Sequence, residues 1–550
     1  MENSVESWWI LPLTLAPNIL GGLSPSSSSS SPSIVLTFSS VAILAILAWL
    51  ANSLLHWAFP GGPAWGKYWW RKTNSSTTST VLIPGPRGLP FLGSTGLISG
   101  LAHRHLATAA TCLGAKRLMA FSIGETRAII SSHPDVAKAI LNSPVFADRP
   151  PTELAYGLMF HRSIGFAPHG TYWRTLRRIA ATYLFSPKQV DASSPHRSHI
   201  ADQMTAALQR SAGRDVQVRR VLRRASLCYI MQFVFGKRYE LCSASEEIEK
   251  LLCVVEEGYD LLGKKNWSDH FPLLAGLDIQ KIRSRCSNLV NKACSFVYPI
   301  IEEHRATATG GRTTAPDFVD ILISLQESEG LSDFDMVAIL WEMIFRGTDA
   351  MAVLMEWTLA RVVLHPDIQA KVHQELDHVV GTSRRRVTET DAPRLVYLQA
   401  LLKEVLRMHP PGPLLSWSRL AISDTLVDGH LVPAGTTAMV NMWAICRDPD
   451  VWEDPLEFKP ERFLSKDGDM EVEFSVMGTD LRLAPFGSGR RSCPGKGLAM
   501  RTVSFWMASF LHDYEWLPSG ARGVDLSEVL RLSSEMAAPL EVRVQLRQHE

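Results

Sequence analysis

A cysteine in a loop rich in glycine and arginine, Cys493, offers the most distinctive chemistry in the 550-residue sequence. Residues 485–500 read PFGSGRRSCPGKGLAM, so Pro494 follows the cysteine and an apolar helical pattern begins soon afterwards. Proline favours the first turn of a helix, which predicts that Cys493 lies near a helix N-terminus. The helix dipole and nearby amide N–H groups are expected to lower the pKa of the thiol there and to favour the thiolate.

Three uses of this loop are compatible with its residues. A thiolate beside amide groups and arginines is what a sulfur-ligated haem requires, and Gly487 and Gly489 would let the backbone approach a large flat group. Arg490 and Arg491 could neutralise the carboxylates of such a group. Alternatively, the loop could bind an anion at the helix N-terminus, or Cys493 could be buried and inert.

A second candidate site interrupts an apolar helical pattern at residues 341–357, WEMIFRGTDAMAVLMEW. Glycine weakens a helix interior by about 1 kcal/mol relative to alanine, and a buried Arg or Asp costs more unless it is paired. Two further pairs stand at helical spacing, Glu404 with Arg407 and Trp173 with Arg177. An ordinary surface ion pair is the alternative for Glu404 and Arg407.

Composition and length limit the class of protein. The net charge of +1 gives no indication of nucleic-acid binding. The eight cysteines are scattered without a CxxC spacing, which argues against a disulfide framework and against a zinc module. No disulfide or zinc therefore competes with the chemistry predicted at Cys493.

The N-terminal region predicts a membrane anchor. No Asp, Glu, Lys or Arg occurs between Glu6 and Lys67, and residues 34–56 are apolar enough to form a transmembrane helix. Basic residues follow the apolar stretch, so the remainder of the chain is expected in the cytosol. A cleaved signal peptide is the alternative, but it would begin with basic residues. We expect residues 1–33 to be disordered and residues 57–83, which include the polar stretch KTNSSTTST at 72–80, to form a linker.

Residues 84–550 are predicted to form one mainly α-helical domain with a small β component. Strand-like alternation is sparse there, and helical periodicity dominates. The predicted helices are Val136–Leu141, Tyr172–Leu184, Ala201–Arg210, Glu246–Leu262, Asp333–Leu364, Pro366–Val380, Arg394–Met408 and Gly497–Tyr514. The predicted strands are Arg117–Ser122, Arg127–Ser131, Thr425–Val427, Thr437–Asn441 and Leu540–Gln545.

The cysteine loop resembles the haem-binding signature of the cytochromes P-450, because its spacing is Phe486-x-x-Gly489-x-Arg491-x-Cys493-x-Gly495. The resemblance extends from about residue 84 to residue 546. It implies the cytochrome P-450 fold and a haem b whose iron is bound by the Cys493 thiolate. The cofactor-binding residues that it implies are Cys493, Trp173, Arg177, Arg419, Arg491, Phe486 and Gly489, with the arginines and Trp173 serving the propionates.

Other segments support the resemblance. Residues 441–463, NMWAICRDPDVWEDPLEFKPERF, are similar to the segment that the family calls its meander. Glu404, Arg407 and Arg462 would then form the buried charged triad that supports the haem loop. FADRP at 146–150 and WSDHFPLLAGLD at 267–278 resemble plant microsomal members. The stretch FRGTD, its WEM lead-in and PPGPLLSWSRL at 410–420 resemble the PLASTOCHRON/KLUH group, whose members influence organ growth and leaf initiation.

The resemblance implies a monooxygenase that inserts one oxygen atom from O₂ into a C–H bond of a lipophilic substrate, with a fatty acyl chain as the leading class. Electrons would come from NADPH through NADPH–cytochrome P-450 reductase, at the endoplasmic reticulum membrane. Two alternatives stay open: a haem-thiolate enzyme that rearranges hydroperoxides without O₂, and a non-catalytic membrane haem sensor or carrier.

Within the family, residues 346–350 would lie on the oxygen-binding face of the haem. Gly347 matches the glycine that opens the helix, and Asp349 matches the acidic member of the proton-delivery pair. Ala350 stands where a threonine is expected, and Arg346 stands where a small residue is usual. Arg346 and Ala350 share a helix face. Arg346 either pairs with Glu342 or Asp349 to serve the fold, or enters the pocket to meet a substrate carboxylate or order water.

Overall fold

The computed structural model describes residues 32–73, 81–243, 245–274, 276–308, 316–381, 385–465, 474–520 and 523–548. The chain divides into two compact units, one ending at Leu55 and the other comprising His56–Glu550. Most of the predicted disordered segment 1–33 lies outside the described residues. No helix within the described ranges is both long enough and apolar enough to cross a membrane. The anchor over residues 34–56 stays a prediction.

Seventeen α-helices account for most of the described structure. They are α1 Pro32–Trp57, α2 Pro63–Thr73, α3 Ala102–Cys112, α4 Pro134–Asn142, α5 Glu153–Gly157, α6 Thr171–Tyr183, α7 Pro187–Ala192, α8 Ser194–Gln209, α9 Val218–Phe235, α10 Glu246–Gly263, α11 Ile282–Ala308, α12 Phe318–Glu329, α13 Asp333–Leu364, α14 Pro366–Val380, α15 Val396–Met408, α16 Met442–Ile445 and α17 Lys496–Asp513.

The described strands form four small sheets. They are β1 Met119–Ile123, β2 Thr126–Ser131, β3 Asp215–Gln217, β4 Arg419–Leu420, β5 Thr425–Val427, β6 His430–Val432, β7 Thr437–Val440, β8 Tyr514–Pro518, β9 Glu528–Leu530, β10 Ser534–Met536 and β11 Glu541–Leu546. The largest sheet has the order β1-β2-β7-β4, in which only β2 and β7 are parallel. The order β3-β11-β8 forms a second sheet, and β5–β6 and β9–β10 are two-stranded. The prediction of a mainly helical fold with a small β component is confirmed.

Helix α13 runs through the core and carries the RGTD sequence. Its N-terminus is a capping box in which the Ser332 hydroxyl accepts the Asp335 N–H and the Asp335 carboxylate accepts the Ser332 N–H. Four buried carboxylates recur on α13 every seven residues, which brings them back to nearly the same face. They are Asp335, Glu342, Asp349 and Glu356.

Each of these carboxylates has a partner on another element. Asp335 pairs with Arg162 at 2.5 Å, and Glu356 pairs with Arg219 on α9 at 2.8 Å. A buried carboxylate is tolerated only when such partners replace its hydration. The four acidic residues therefore fix α13 against its surroundings.

Part of the segment predicted as a linker is ordered against the β1-β2 sheet. Residues 63–73 form α2, and Trp65 and Trp69 enter the core. The Trp65 indole N–H donates to the Phe121 carbonyl at 3.1 Å. Burial of two tryptophans explains why this stretch does not behave as a free spacer.

Candidate active site

A cavity lies between α13, the cysteine loop and the segment that leads into β4. Its volume is about 260 Å³, close to the lower end of the roughly 300–1,000 Å³ of a typical small-molecule site. Ile230 and Val234 of α9 and Met351 and Leu354 of α13 give part of its wall an apolar character. Parts of residues 152–165, 345–351 and 412–417 also line the cavity.

Cys493 lines this cavity three residues before α17 begins. Its backbone N–H donates to the Phe486 carbonyl at 2.9 Å, which closes the loop on itself. Burial raises the pKa of the Cys493 thiol, and the smaller opposing effects come from Arg346 and the Gly495 N–H. The amide N–H of Gly495 lowers this pKa, as the sequence predicted, but burial has the larger effect in the protein alone, so the net direction is upward. A bound cation at the sulfur would reverse this balance.

The two glycines before the cysteine have different roles. Gly487 lines the cavity with a φ of +69°, and a Cβ there would meet its nearest neighbour only at 4.0 Å. Gly489, at φ +68°, lies against α4, where a Cβ would be 2.3 Å from the Leu141 carbonyl oxygen. Gly489 is therefore required because the loop approaches α4 closely. The sequence had suggested a different reason, contact of this glycine with a flat group in the cavity. Phe486 lines the cavity.

Three arginines, which we call the arginine cluster, lie together on one side of the cavity: Arg177, Arg419 and Arg491. Burial, reinforced by Arg491 and Arg177, lowers the pKa of Arg419 to about 9, and burial lowers that of Arg491 to about 10. Nη1 of Arg419 and Nη1 of Arg491 are buried without a hydrogen-bond acceptor. Unsatisfied buried donors of this kind are costly, so the cluster is suited to anionic groups that the protein itself does not supply.

Trp173 is not among the residues that line the cavity, and its predicted contact with a propionate stays a prediction. Its indole N–H donates to the Ile164 carbonyl at 3.0 Å, and its ring lies 4.2 Å from the Arg491 guanidinium carbon. The indole N–H is the single donor of Trp173, and this hydrogen bond uses it. The side chain thereby supports the 163–165 loop through its N–H and Arg491 through its ring. Arg177, one turn later, reaches the cavity and donates to the Ser492 carbonyl at 2.9 Å.

The RGTD residues of α13 divide between two faces. Arg346, Gly347 and Ala350 line the cavity. Asp349 is buried and pairs with Arg223 of α9 at 2.8 Å. The Thr348 hydroxyl donates to the Ile344 carbonyl at 2.7 Å, so it does not replace the hydroxyl that Ala350 lacks.

Arg223 extends the Asp349 contact into a chain of charges. It also pairs with Glu535 of β10 at 2.5 Å and approaches Glu256 of α10 at 3.9 Å. Glu535 is buried, whereas the Glu256 side chain is 60% exposed. Asp349 is thus connected to solvent on the α9–α10 side, away from the cavity.

The Glu342 carboxylate is a site residue that the sequence offered only as a partner for Arg346. It accepts the backbone N–H groups of Ile164 and Gly165 at 2.7 and 2.9 Å and thereby fixes this loop over the cavity. Burial raises the pKa of Glu342, against the lowering effect of Arg346. The seven-residue spacing of acidic residues in α13 was the signal that could have identified it.

Arg149 was also missed as a site residue. It is buried and donates to the carbonyls of Gly165, Trp417 and Ser418, which joins the two loops above the cavity. Nothing in FADRP indicates these acceptors, because they lie on segments far away in sequence.

Glu404, Arg407 and Arg462 meet beneath the meander. Arg407 donates to both Glu404 oxygens at 2.7 and 2.8 Å, and Arg462 Nε donates to Glu404 at 3.2 Å. Arg407 also donates to the carbonyls of Cys446, Pro455 and Glu457. The i, i+3 pair is therefore buried and structural, and the alternative of a surface ion pair is wrong for it.

The chemistry of the cavity fits a haem. Cys493 is the one cysteine among the described residues that line it, and the unsatisfied donors of Arg419 and Arg491 suit two propionates.

The fold and the site agree with the family comparison. The Cytochrome P450 family model matches residues 83–535. The chain belongs to the cytochrome P450 family, whose members are haem-thiolate monooxygenases.

Comparison with individual proteins narrows the position of the chain within this family. It is 60% identical to "Cytochrome P450 78A9" of Arabidopsis thaliana over 509 residues, 92% of this chain and 93% of the relative. It is 59% identical to "Cytochrome P450 78A3" of Glycine max over 499 residues, which cover 91% of this chain and 93% of the relative. A more distant relative, "Dimethylnonatriene synthase" of Zea mays, is 36% identical over 486 residues, which cover 84% of this chain and 90% of the relative. The resemblance to plant members of the PLASTOCHRON/KLUH type is confirmed.

Proposed function

We propose that this protein inserts one atom of O₂ into a C–H bond of a lipophilic substrate, using electrons from NADPH delivered by NADPH–cytochrome P450 reductase. The observation that carries the proposal is the cavity itself. It combines Cys493, unsatisfied arginine donors and an apolar wall around one space. When bound there, a thiolate-ligated haem supplies the O₂ chemistry.

The residues of this chain position the reactants. Cys493 would hold the iron, and the arginine cluster would hold the propionates. Glu342 and Arg149 hold the loop around Gly165 in place on the cavity wall. Residues of α9 and α13 such as Ile230 and Leu354 would bind the apolar part of the substrate.

The test is turnover by the haem-containing protein reconstituted with the reductase. We expect substrate-dependent consumption of NADPH and O₂ and a product heavier by one oxygen atom. A hydroperoxide-rearranging enzyme would instead convert fatty-acid hydroperoxides without NADPH, an alternative that the missing hydroxyl at Ala350 keeps relevant. A haem sensor or carrier would bind ligands without any product.

The cellular setting is part of the same proposal. The charge-free stretch between Glu6 and Lys67 supports a single-pass anchor, and the basic residues after it support a catalytic domain on the cytosolic side of the endoplasmic reticulum. Resemblance to the PLASTOCHRON/KLUH group supports a role in plant organ growth and leaf initiation. Fractionation of tagged protein, and the phenotype of plants lacking it, test these two statements.

A further inference from the structure

Arg346 is a cationic side chain on the cavity wall without a carboxylate partner among the described residues. Its Nη1 atom is buried there and has no hydrogen-bond acceptor. Asp349 is used by Arg223, and both oxygens of Glu342 accept backbone N–H groups. Neither carboxylate forms an ion pair with Arg346, so the hypothesis that Arg346 serves the fold through one of them lacks its contact. Since a guanidinium stays protonated in proteins, Arg346 keeps an unpaired positive charge at the cavity.

The other arginines on the described part of the cavity wall are accounted for. Arg149 donates to three backbone carbonyls, and Arg177 donates to a carbonyl of the cysteine loop. The free donors of Arg419 and Arg491 suit the two propionates of a haem. Arg346 is therefore the cation on this wall whose charge is left over when the haem is bound.

Arg346 faces the same cavity as Cys493 and acts on it electrostatically. Both residues line the cavity, Arg346 from α13 and Cys493 from the cysteine loop. Among the effects that oppose burial, the charge of Arg346 is the largest one that lowers the pKa of the Cys493 thiol. Glu342 is a weak counterion for Arg346, because burial raises its pKa and disfavours its charged form. The field of Arg346 therefore reaches the position at which the sulfur would bind iron.

The ring of Trp417 holds the Arg346 side chain at this place. The guanidinium carbon lies 5.9 Å from the ring centre, which is within the range of a cation–π contact. Edge contacts with Phe160 and Phe166 fix the ring in turn. Aromatic side chains position the charge without neutralising it, so its effect on the cavity is preserved.

We propose that Arg346 raises the reduction potential of the haem bound at Cys493. One electron converts ferric to ferrous iron, no covalent bond forms or breaks, and the charge of the haem site becomes more negative by one unit. The electron comes from the reductase of the proposed function, on which this inference rests only for the identity of the donor. A nearby fixed cation favours the more negative state, whereas the anionic thiolate favours the ferric state. Arg346 thus offsets part of the effect of the thiolate.

The expected size of the effect follows from Coulomb's law. Across about 10 Å at an effective dielectric constant of about 20, one unit charge changes an equilibrium roughly 15-fold. For a one-electron couple, a tenfold change in the ratio of ferrous to ferric protein corresponds to about 59 mV. Removal of the Arg346 charge should therefore lower the midpoint potential by about 70 mV.

The test is a spectroelectrochemical titration of the full-length haem-containing protein, in which an electrode and mediators supply the electron. No NADPH, reductase or substrate is present. Arg346→Gln and Arg346→Met remove the charge, and Arg346→Lys keeps it. Arg220→Gln is the matched control, because Arg220 is exposed on α9 outside the cavity. The carbon monoxide band of each reduced variant checks that thiolate ligation is intact.

We expect Arg220→Gln to have the potential of the wild type. Arg346→Gln and Arg346→Met should lower the potential by about 70 mV, and Arg346→Lys should retain most of the wild-type value. The difference between Arg346→Gln and the wild type should persist from about 0.05 to about 0.5 M salt, because a buried charge is screened little. If Arg346→Gln does not retain haem, the methionine variant decides.

Three results would overturn the proposal. They are a potential of the neutral variants within about 20 mV, or about twofold, of the Arg220→Gln control, a shift in Arg346→Lys as large as that in Arg346→Gln, and loss of haem from both neutral variants. The last two would assign Arg346 to the structure of the site. All three leave the proposed monooxygenase intact, since NADPH-dependent turnover is measured separately. Absence of turnover with the potential difference still present would instead refute the proposed function and keep the electrostatic role of Arg346.

Discussion

The Glu404→Gln substitution tests whether the charged triad stabilises the fold. The Glu404 carboxylate accepts hydrogen bonds from Arg407, Arg462 and the Lys459 backbone N–H. Glu404 and Arg407 are fully buried. The substitution keeps the shape of the side chain but leaves the Arg407 guanidinium without its countercharge. Breaking a buried pair in this way costs about 3–5 kcal/mol.

The expected shift in melting temperature follows from the size of the unit. The unit His56–Glu550 contains roughly 500 residues, and unfolding entropy is about 2.1 cal/mol/K per residue, so 1 kcal/mol corresponds to about 1 °C. Glu404→Gln should lower the melting temperature by about 3–5 °C, measured by differential scanning fluorimetry at one scan rate. Haem content should fall as well, because Arg407 also holds the carbonyls of Cys446 and Pro455.

Glu246→Gln is the control for this experiment. Glu246 pairs with Lys250 at 2.8 Å on the exposed face of α10, and solvent screens such a pair. Its melting temperature should equal that of the wild type. A Glu404→Gln protein that melts within 1 °C of this control would refute the stabilising role of the triad.

Two further predictions concern pH and coupling. Burial alone would raise the pKa of Glu528, but hydrogen bonds from His103 and Ser534 and the charge of Arg104 bring it down to about 2, below the ordinary 4.5. The ionised Glu528 carboxylate therefore stabilises the folded protein above pH 4.5, and this stabilisation is lost as the pH falls toward 2. Glu528→Gln should make the melting temperature fall less steeply between pH 4.5 and pH 2. A melting temperature that falls as steeply in the variant as in the wild type would contradict this. Ala350→Thr should place a hydroxyl in the cavity and raise the fraction of NADPH electrons recovered in product, with less peroxide; unchanged coupling would show that this hydroxyl is not limiting.

Periodicity and loop spacing predicted much of the fold from the sequence. The bounds of α13 and α14 match the predicted Asp333–Leu364 and Pro366–Val380, because capping residues and prolines mark their ends. Local chemistry fixes these boundaries, so no tertiary information was needed. The helix at residues 63–73 was missed because its burial depends on contact with β1, which sequence periodicity does not reveal.

The partners of buried polar groups were the part that the sequence could not supply. Asp349 contacts Arg223, 126 positions away in the chain, and Trp173 donates to a carbonyl of the 163–165 loop. The pKa of Cys493 depends on how deeply the fold buries it. Tertiary packing determines the partner and the burial of each of these groups, because residue type alone allows several partners for each.

The carbon monoxide difference spectrum of the reduced protein tests the central claim most directly. Cys493→Ala and Cys493→His are compared with Cys112→Ser, in which an exposed cysteine far from the cavity is replaced. The account predicts that the band typical of thiolate-bound haem is present in the wild type and in Cys112→Ser and absent from both Cys493 variants. A band retained in full without the Cys493 sulfur would contradict the assignment of this residue as the haem ligand.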